Sequence, residues 1–489
     1  MQLNKSALEK IKVTDIQKPG DTLFDLPEKV LQFGTGVLLR GLPDYFIDIA
    51  NRQGIFNGRV VVVKSTDAGG TDAFDIQDRL YTICVQGLEN GKQSEETIIN
   101  SAISRVLSAK SQWKDILACA HNADLNIIIS NTTEVGITYV EEDVHQHPPK
   151  SFPGKLLAFL HERYGACGGI TEGGFVIVPT ELIVGNGDKL KSILLQLAAF
   201  NKMEAGFVEW VNAANTFCNS LVDRIVPGKP APEIKEKIEQ SLGYTDDLML
   251  ICEPYSLWAI EGDDRVRQIL SFSELGNGVI IAPDIEKYRE LKLRLLNGTH
   301  TLSCGLAYLS GFTFVKEGMN NKAFREYVSE VMLKEIAPAI PANVADDEAE
   351  IFGKQVLDRF ANPFLNHQWI SITMQYTSKM KMRVIPVLLR YFSIYNTVPQ
   401  NMAKGFAAYV LFMKAVKKNG NVYEGELNGN AYPINDDKAP YLYELWQKNG
   451  EDNIVNAILS DKTLWDADLS VLPGFKEAVQ QQFAQLTKK

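Results

Sequence analysis

No apolar run in this chain of 489 residues reaches the roughly 18 residues that a membrane-crossing helix needs, so no membrane partner is expected. The opening MQLNKSALEKIKV lacks the apolar core and small-residue cleavage site of a secretory leader, and a cytoplasmic location is the expectation. Cysteine is scarce: Cys84, Cys119, Cys167, Cys218, Cys252 and Cys304 show neither paired spacing nor the density of a disulfide scaffold. They read as small buried hydrophobes in a reducing compartment. Positive charge is in deficit, with 50 Lys and Arg against 60 Asp and Glu and a net charge of −10. Bulk electrostatics therefore disfavour nucleic acid and anionic membrane as partners, and any site for an anion must be local. His121, His145, His147, His161 and His367 lack the His-x-x-x-His or carboxylate spacing of a zinc or iron site, so no metal is expected. Nothing in the sequence fixes the oligomeric state; a monomer is compatible with it.

What is present is an alternation. KVLQF (29–33), VVVVKST (60–66), NIIISNT (126–132) and FVIVPT (175–180) are β-branched, apolar runs separated by helical stretches, the pattern of stacked β-α-β units around a parallel sheet. Beyond about Tyr288 strand-like runs thin out, and long helical patterns such as NKAFREYVSEVMLKEI and NMAKGFAAYVLFMKAVKK take over. The expected division is residues 1–284, an α/β domain, and 285–489, a mainly α-helical domain carrying substrate and catalytic groups, with a cleft between them as the ligand's place. No internal repeat or low-complexity segment is seen.

Directly after the first run comes Phe33-Gly34-Thr35-Gly36-Val37-Leu38-Leu39-Arg40, a glycine-rich turn entering a helix. Glycines there admit a pyrophosphate to the backbone, and the helix start offers free N–H groups. The third glycine of G-x-G-x-x-G is replaced by Leu39, and Arg40 is either a phosphate partner or a solvated first-turn arginine. After the second run, Asp67 is placed to accept hydrogen bonds from an adenosine ribose, which favours NAD over NADP; its alternative is a turn-forming Asp. The α/β domain is thus read as Rossmann-like.

The helix KLRLLNGTH holds the most unusual pattern. At about 100° per residue, Asn297 falls near 140° and His300 near 80° from Lys292, so three polar groups share one arc of an otherwise apolar helix. Desolvation lowers the pKa of a lysine and suits it to general acid–base work; the alternative is a snorkelling lysine beside two satisfied core polar groups. Asn186, in the Asn-Gly pair after the fourth run, is either an amide donor to an oxyanion or an ordinary turn residue. Asp223 and Arg224 form a buried structural pair or part of a substrate pocket, with Arg224 read as structural. Lys379, Lys381 and Arg383 alternate in QYTSKMKMR, a solvated face or a local grip for a substrate carboxylate.

Together these residues resemble the mannitol dehydrogenase family over nearly the whole chain. The family's Lys-x4-Asn-x2-His is matched by Lys292, Asn297 and His300, and its G-x-G-x-x-x-R by Gly34, Gly36 and Arg40. Asn186-Gly187, Val222 to Ile225, and Glu253-Pro254-Tyr255 through Trp258 and Glu261 match further segments. STDAGGTDAFDIQDRLYT, SNTTEVGI and TMQYTSKMKMR resemble the branch that acts on tagaturonate. The resemblance implies metal-independent, NAD-dependent, reversible reduction of the keto group of D-tagaturonate to D-altronate. It implies Lys292 as proton donor, Asn186 and Asn297 as oxyanion donors, and His300 orienting substrate hydroxyls. Phe33, Gly34, Thr35, Gly36, Val37, Leu38, Arg40 and Asp67 would bind NAD, and Asp223, Lys381 and Arg383 the sugar acid. Two departures stand out: Arg289 replaces the glutamate three residues before the lysine, and the region ISITMQYT lacks the family's upstream arginine. Fructuronate or a polyol as substrate, or a dinucleotide sensor without turnover, are the rival readings.

Overall fold

The computed structural model describes residues 1–65, 70–132, 135–276, 278–341 and 343–488. The chain forms two compact units, one of Met1–Gln86 and Gln93–Ile285, the other of Gly87–Lys92 and Glu286–Lys489.

In the first unit the four apolar runs become strands β1 (Glu28–Phe33), β2 (Arg59–Lys64), β4 (Ile127–Ser130) and β5 (Val176–Pro179), joined by β3 (Ile103–Ser108) and β6 (Thr216–Phe217). Their spatial order is β3-β2-β1-β4-β5-β6, every neighbouring pair parallel. This is the doubly wound Rossmann arrangement, in which strand order reverses between β1 and β4. Alternate side chains supply two cores. Val30, Val62, Ile129 and Val178 face one, while Leu31, Val61, Ile128 and Ile177 face the other. Burial on both faces is why these runs read as continuously apolar. The sequence reading missed β3 because ISRVLS is an edge strand whose apolar run is broken by Ser104 and Arg105, Arg105 making a two-pronged ion pair with Glu28 (2.8 and 2.7 Å). It missed β6 because two residues leave no pattern.

Helices α1 (Val37–Gly41) and α2 (Pro43–Arg52) follow β1, α3 (Phe152–Ala166) precedes β5, and α4 (Asn186–Phe200) follows it. Two smaller sheets complete the unit. In one, Ser220–Asp223 pairs antiparallel with Leu257–Glu261, which pairs parallel with Val279–Ala282. The motif tryptophan Trp258 lies at its centre, fully buried and stacked on Phe272. The motif is here a packing element.

Between α3 and the sheet, Arg163 is buried, and its guanidinium donates to the carbonyls of Gly173 (2.8 Å), Ala120 (2.9 Å), Asn122 (2.7 Å) and Leu125 (3.2 Å).

The second unit is mainly helical. Glu286–Leu291 is α, Lys292–Gly298 is wound as a π-helix, and Thr299–Leu309 returns to α. Two further π stretches occur, Val331–Ile336 and Met380–Val384. Thr299–Leu309 crosses Gln400–Phe412 closely, since a Cβ on Gly405 would stand 2.7 Å from Leu302 Cδ2 and 2.9 Å from its carbonyl. The pattern NMAKGFAAYVLFMKAVKK does not stay helical to its end: Lys417–Asn419, Val422–Leu427 and Asn430–Pro433 form an antiparallel sheet. Asn428 (φ 53°) and Gly429 (φ 79°) make its tight turn, the Asn-Gly signal of a two-residue hairpin.

Replacing Arg163 by Met would strand the carbonyls of Gly173, Ala120 and Leu125, while Asn122 O keeps the amide of Leu125. Urea unfolding should show a loss of about 2–4 kcal/mol, and Arg163→Lys, with one compact ammonium, should recover only part of it.

Candidate active site

At the C-terminal ends of β1, β2 and β4 a cavity of about 390 Å3 is lined by Gly34, Thr35, Gly36, Ser65, Asn131 and Thr132, with Phe152 and Lys155 from α3. Strand order reverses here, where doubly wound sheets take their ligands. Gly34 has φ +130°, and a Cβ on it would stand 2.9 Å from Leu39 Cδ1 and 3.0 Å from the Asn131 carbonyl. The replaced third glycine is thereby explained: Leu39 is fully buried and packs where a glycine would otherwise let helix and strand approach. Gly36 is exposed, and a Cβ there would meet nothing within 4 Å. Buried Ser65 Oγ has no hydrogen-bond partner among the described residues. Asp67 lies outside the described residues.

Four expected cofactor contacts take a different form. The Phe33 ring is fully buried in the core 5.2 Å from Phe152, so only its backbone borders the turn. Val37 and Leu38 are half-buried, and Val37 packs beneath Gly228. Arg40 does point back to the loop, but from below: Nη1 donates to Leu248 O (2.6 Å), Nε lies 3.4 Å from Thr35 O, and the guanidinium sits over Tyr81. Buried, it braces the turn from below through two carbonyls, where the sequence left a phosphate partner or a solvated arginine open.

The next strand ends are tied by a residue the sequence reading passed over. Glu181 is buried, and its carboxylate accepts from Ser130 Oγ (3.1 Å), Thr132 N (2.9 Å) and Thr132 Oγ1 (2.9 Å). Burial raises its pKa. Asn186 is fully buried at the start of α4. Its Nδ2 donates to Pro179 O (2.9 Å), Glu181 O (3.0 Å) and Ser220 O (3.2 Å), while Oδ1 accepts from Ser220 N (2.9 Å). Two amide hydrogens serve three carbonyls, so Asn186 is a clasp between strand ends, unlike the open oxyanion donor expected of it. Asp223 is buried at the end of its strand, and Arg224 is pinned to Glu253 O (2.9 Å) and Gly41 O (2.7 Å).

In the second unit, Lys292 and Asn297 are half-buried and His300 is buried. The π winding unwinds the segment relative to an α-helix, so the angles of an α wheel do not hold across Lys292–Gly298. The buried charge on this segment is Arg294. It donates to Glu290 (2.8 Å) and to the carbonyls of Met382 (2.6 Å) and Arg383 (3.0 Å), fastening one π stretch to another. Glu290 is thereby engaged with Arg294, and Arg289 pairs with Glu286.

His300 stacks on Phe360 (centroids 3.8 Å apart, 6° between planes) and meets His367 and Trp369 edge-on. Its Nε2 is buried without a partner among the described residues, as are Trp369 Nε1 and Arg383 Nε. Burial, followed by the nearby charges of His367, Arg359, Arg383 and Lys379, holds the imidazole well below its ordinary pKa, so it is neutral at pH 7. Each buried orphan of this kind calls for a partner, and a ligand's hydroxyls and carboxylate are suited to supply one.

The alternating cations separate. Lys379 and Arg383, four apart on a helix, both act on His300, and Arg383 Nη1 donates to Thr301 Oγ1 (3.1 Å). Lys381, two residues from each, points elsewhere and pairs with Asp466 at 2.8 Å on the surface. Of the three, Lys379 and not the expected Lys381 accompanies Arg383 beside His300, and burial and Arg383 lower its pKa. The π winding that carries Arg383 leaves no trace in the sequence, and nothing there marked Arg359 or His367 as neighbours of His300.

A doubly wound dinucleotide-type sheet with an electropositive helical unit defines an oxidoreductase of the dehydrogenase/reductase class. The Mannitol dehydrogenase Rossmann domain matches residues 28–273 and the Mannitol dehydrogenase C-terminal domain residues 284–487. The chain belongs to the mannitol dehydrogenase family, as a polyol or sugar-acid oxidoreductase. It is 37% identical to the altronate oxidoreductase of Bacillus subtilis over 473 residues, 95% of this chain and 94% of that one. It is 37% identical to that of Halalkalibacterium halodurans, over 91% of this chain and 88% of that one. Among solved structures, the Pseudomonas fluorescens mannitol 2-dehydrogenase ternary complex with NAD and D-mannitol aligns over 100% of this chain and 97% of that one, with TM-score 0.69 and 23% identity.

Gly34→Ala should lower unfolding stability by about 1–3 kcal/mol, because both its φ and its neighbours oppose a Cβ. Gly36→Ala should be close to neutral in the same melt.

Proposed function

We propose that the protein reversibly reduces the keto group of D-tagaturonate to D-altronate with NADH. The observation that carries this reading is the cationic setting of His300, where Lys379, Arg383 and Arg359 act on one neutral imidazole whose Nε2 has no partner among the described residues. In a chain of net charge −10, that concentration suits a sugar bearing a carboxylate better than an uncharged polyol. The similarity to altronate oxidoreductases supports the same substrate.

The first unit fits a dinucleotide: the Gly34 cradle has no room for a Cβ, Gly36 is open, and Ser65, whose buried Oγ has no partner among the described residues, lines the turn's cavity. When bound, NADH supplies the hydrogen and electron pair that the keto carbon accepts. Lys292 donates a proton to the oxygen as it becomes an alkoxide, and takes one back in the reverse direction. Asn297 donates a hydrogen bond to that oxygen. His300, neutral, orients a substrate hydroxyl through Nε2. Lys379 and Arg383 hold the carboxylate as charge-assisted hydrogen-bond donors.

Oxidation of NADH at 340 nm, followed without added metal on D-tagaturonate, D-fructuronate and D-fructose, tests the reading. Tagaturonate should be preferred, and Lys292→Ala should cut kcat by about 100-fold or more while NADH binding persists. No turnover with any of the three would overturn the reductase assignment and favour a sensor.

Lys379→Met should raise KM for tagaturonate by about tenfold, the loss of one charge-assisted contact, and Lys381→Met should leave it within about twofold. Equal effects at both positions would remove Lys379 from the substrate site.

A further inference from the structure

Beneath the glycine turn lies a buried acid that neither the fold nor the chemistry above employs. Asp44, in the first turn of α2, is fully buried, and so is Gln32 on β1. Gln32 Nε2 lies 3.3 Å from Asp44 Oδ2 and 3.5 Å from the Gly34 carbonyl. Thus one side chain touches both the acid and the residue whose conformation shapes the turn. The other two atoms of the pair, Asp44 Oδ1 and Gln32 Oε1, are buried with no partner among the described residues.

Two orphaned oxygens within one hydrogen-bonded pair are unfavourable for a carboxylate and an amide, since both are acceptors. They are what a carboxylic acid and an amide leave for their second hydrogen bond. With a proton on Oδ1, the acid donates to Oε1 while Nε2 donates to Oδ2, and the pair closes into a ring in which each polar atom is met.

The surroundings agree. Arg40, on α1, is the cation that favours the Asp44 carboxylate, though two of its N–H groups are directed to Leu248 O and Thr35 O. Asp48 on the same helix and Asp246 beside Arg40 are negative, and Tyr81, whose hydroxyl donates to Arg40 O at 3.1 Å, sits 3.5 Å from Oδ2. β1 presents only Gln32. No ion pair holds Asp44 as an anion among the described residues.

We propose that Asp44 is a positioning residue that, as a neutral carboxylic acid paired with Gln32, holds the Gly34 turn in the shape that accepts the dinucleotide. The inference rests on the proposed use of that turn for NADH. Burial raises the Asp44 carboxyl to a pKa of about 7, above the ordinary carboxylate range. The folded chain therefore holds a proton that the unfolded chain releases. The sign follows: stability falls as pH rises from the ordinary carboxylate range toward 7, then levels off. Above 7, Asp44 ionises, its donor is lost, and two acceptors face each other below the turn.

The test is fluorescence titration of NADH on the full chain at pH 6 to 8, paired with difference infrared spectroscopy of the carboxylic-acid carbonyl stretch. The wild type should lose affinity by about tenfold across that range, as a single group with its midpoint near 7 requires. Asp44→Asn, which keeps an amide in place of the acid, should give a flat profile and lack the infrared band. Should that variant fail to fold, Gln32→Met, close in volume but without the amide, should retain the band at a shifted frequency. Parallel pH profiles in wild type and Asp44→Asn, or no protonated carboxyl band at pH 6, would overturn the proposal. Failure of the wild type to bind NADH at any pH would instead overturn the cofactor reading, while the infrared band would still report the pair.

Discussion

Wherever a strand or helix stops inside this protein, backbone carbonyls are left in a place water does not reach, and the structure depends on finding donors for them. Buried guanidinium groups do much of this work. Arg163 meets four carbonyls, Arg40 reaches Leu248 and Thr35, Arg224 joins Gly41 to Glu253, and Arg294 joins two π stretches. A planar, rigid fork with several N–H groups suits a cluster of carbonyls in a way a single ammonium does not. Because these donors come from outside the strands they serve, loss of one loosens several segments together. Asn186 applies the same solution with an amide.

The commitment of arginines to carbonyls bears on how much of the molecule was legible in its sequence. Strands buried on both faces announced themselves as apolar runs, and the glycine turn was found where β1 ends. The edge strand β3 and the two-residue β6 left too little pattern. Motif residues were found, but their tasks were not all readable. Arg40 and Asn186 carry groups that can bind ligands, and only the structure shows the carbonyls that occupy them. Lys379, Lys381 and Arg383 read as one cluster because the sequence shows order and not direction; helical winding sends Lys381 to Asp466 and leaves the other two beside His300. Glu181 was missed because its partners, Ser130 and Thr132, lie about fifty residues away, with no local spacing to betray them.

An acidic chain with cations gathered beside one buried histidine separates two electrostatic tasks. The net charge of −10 discourages polyanions from the surface at large, while the charges around His300 act at short range, where screening by salt is least effective. Keeping His300 neutral avoids adding another charge to that cluster and leaves Nε2 able to choose between donating and accepting.

The π winding of Lys292–Gly298 is also a matter of direction. A π turn is what an α-helix becomes when it absorbs one extra residue without lengthening its flanks. Were the same residues wound as an ordinary α-helix, everything before the stretch would swing by about 100° relative to everything after. Lys292 would then stand at a different angle to His300, although every residue named in the motif would survive. The winding, which the spacing of the motif does not record, therefore sets the direction from which the lysine is presented.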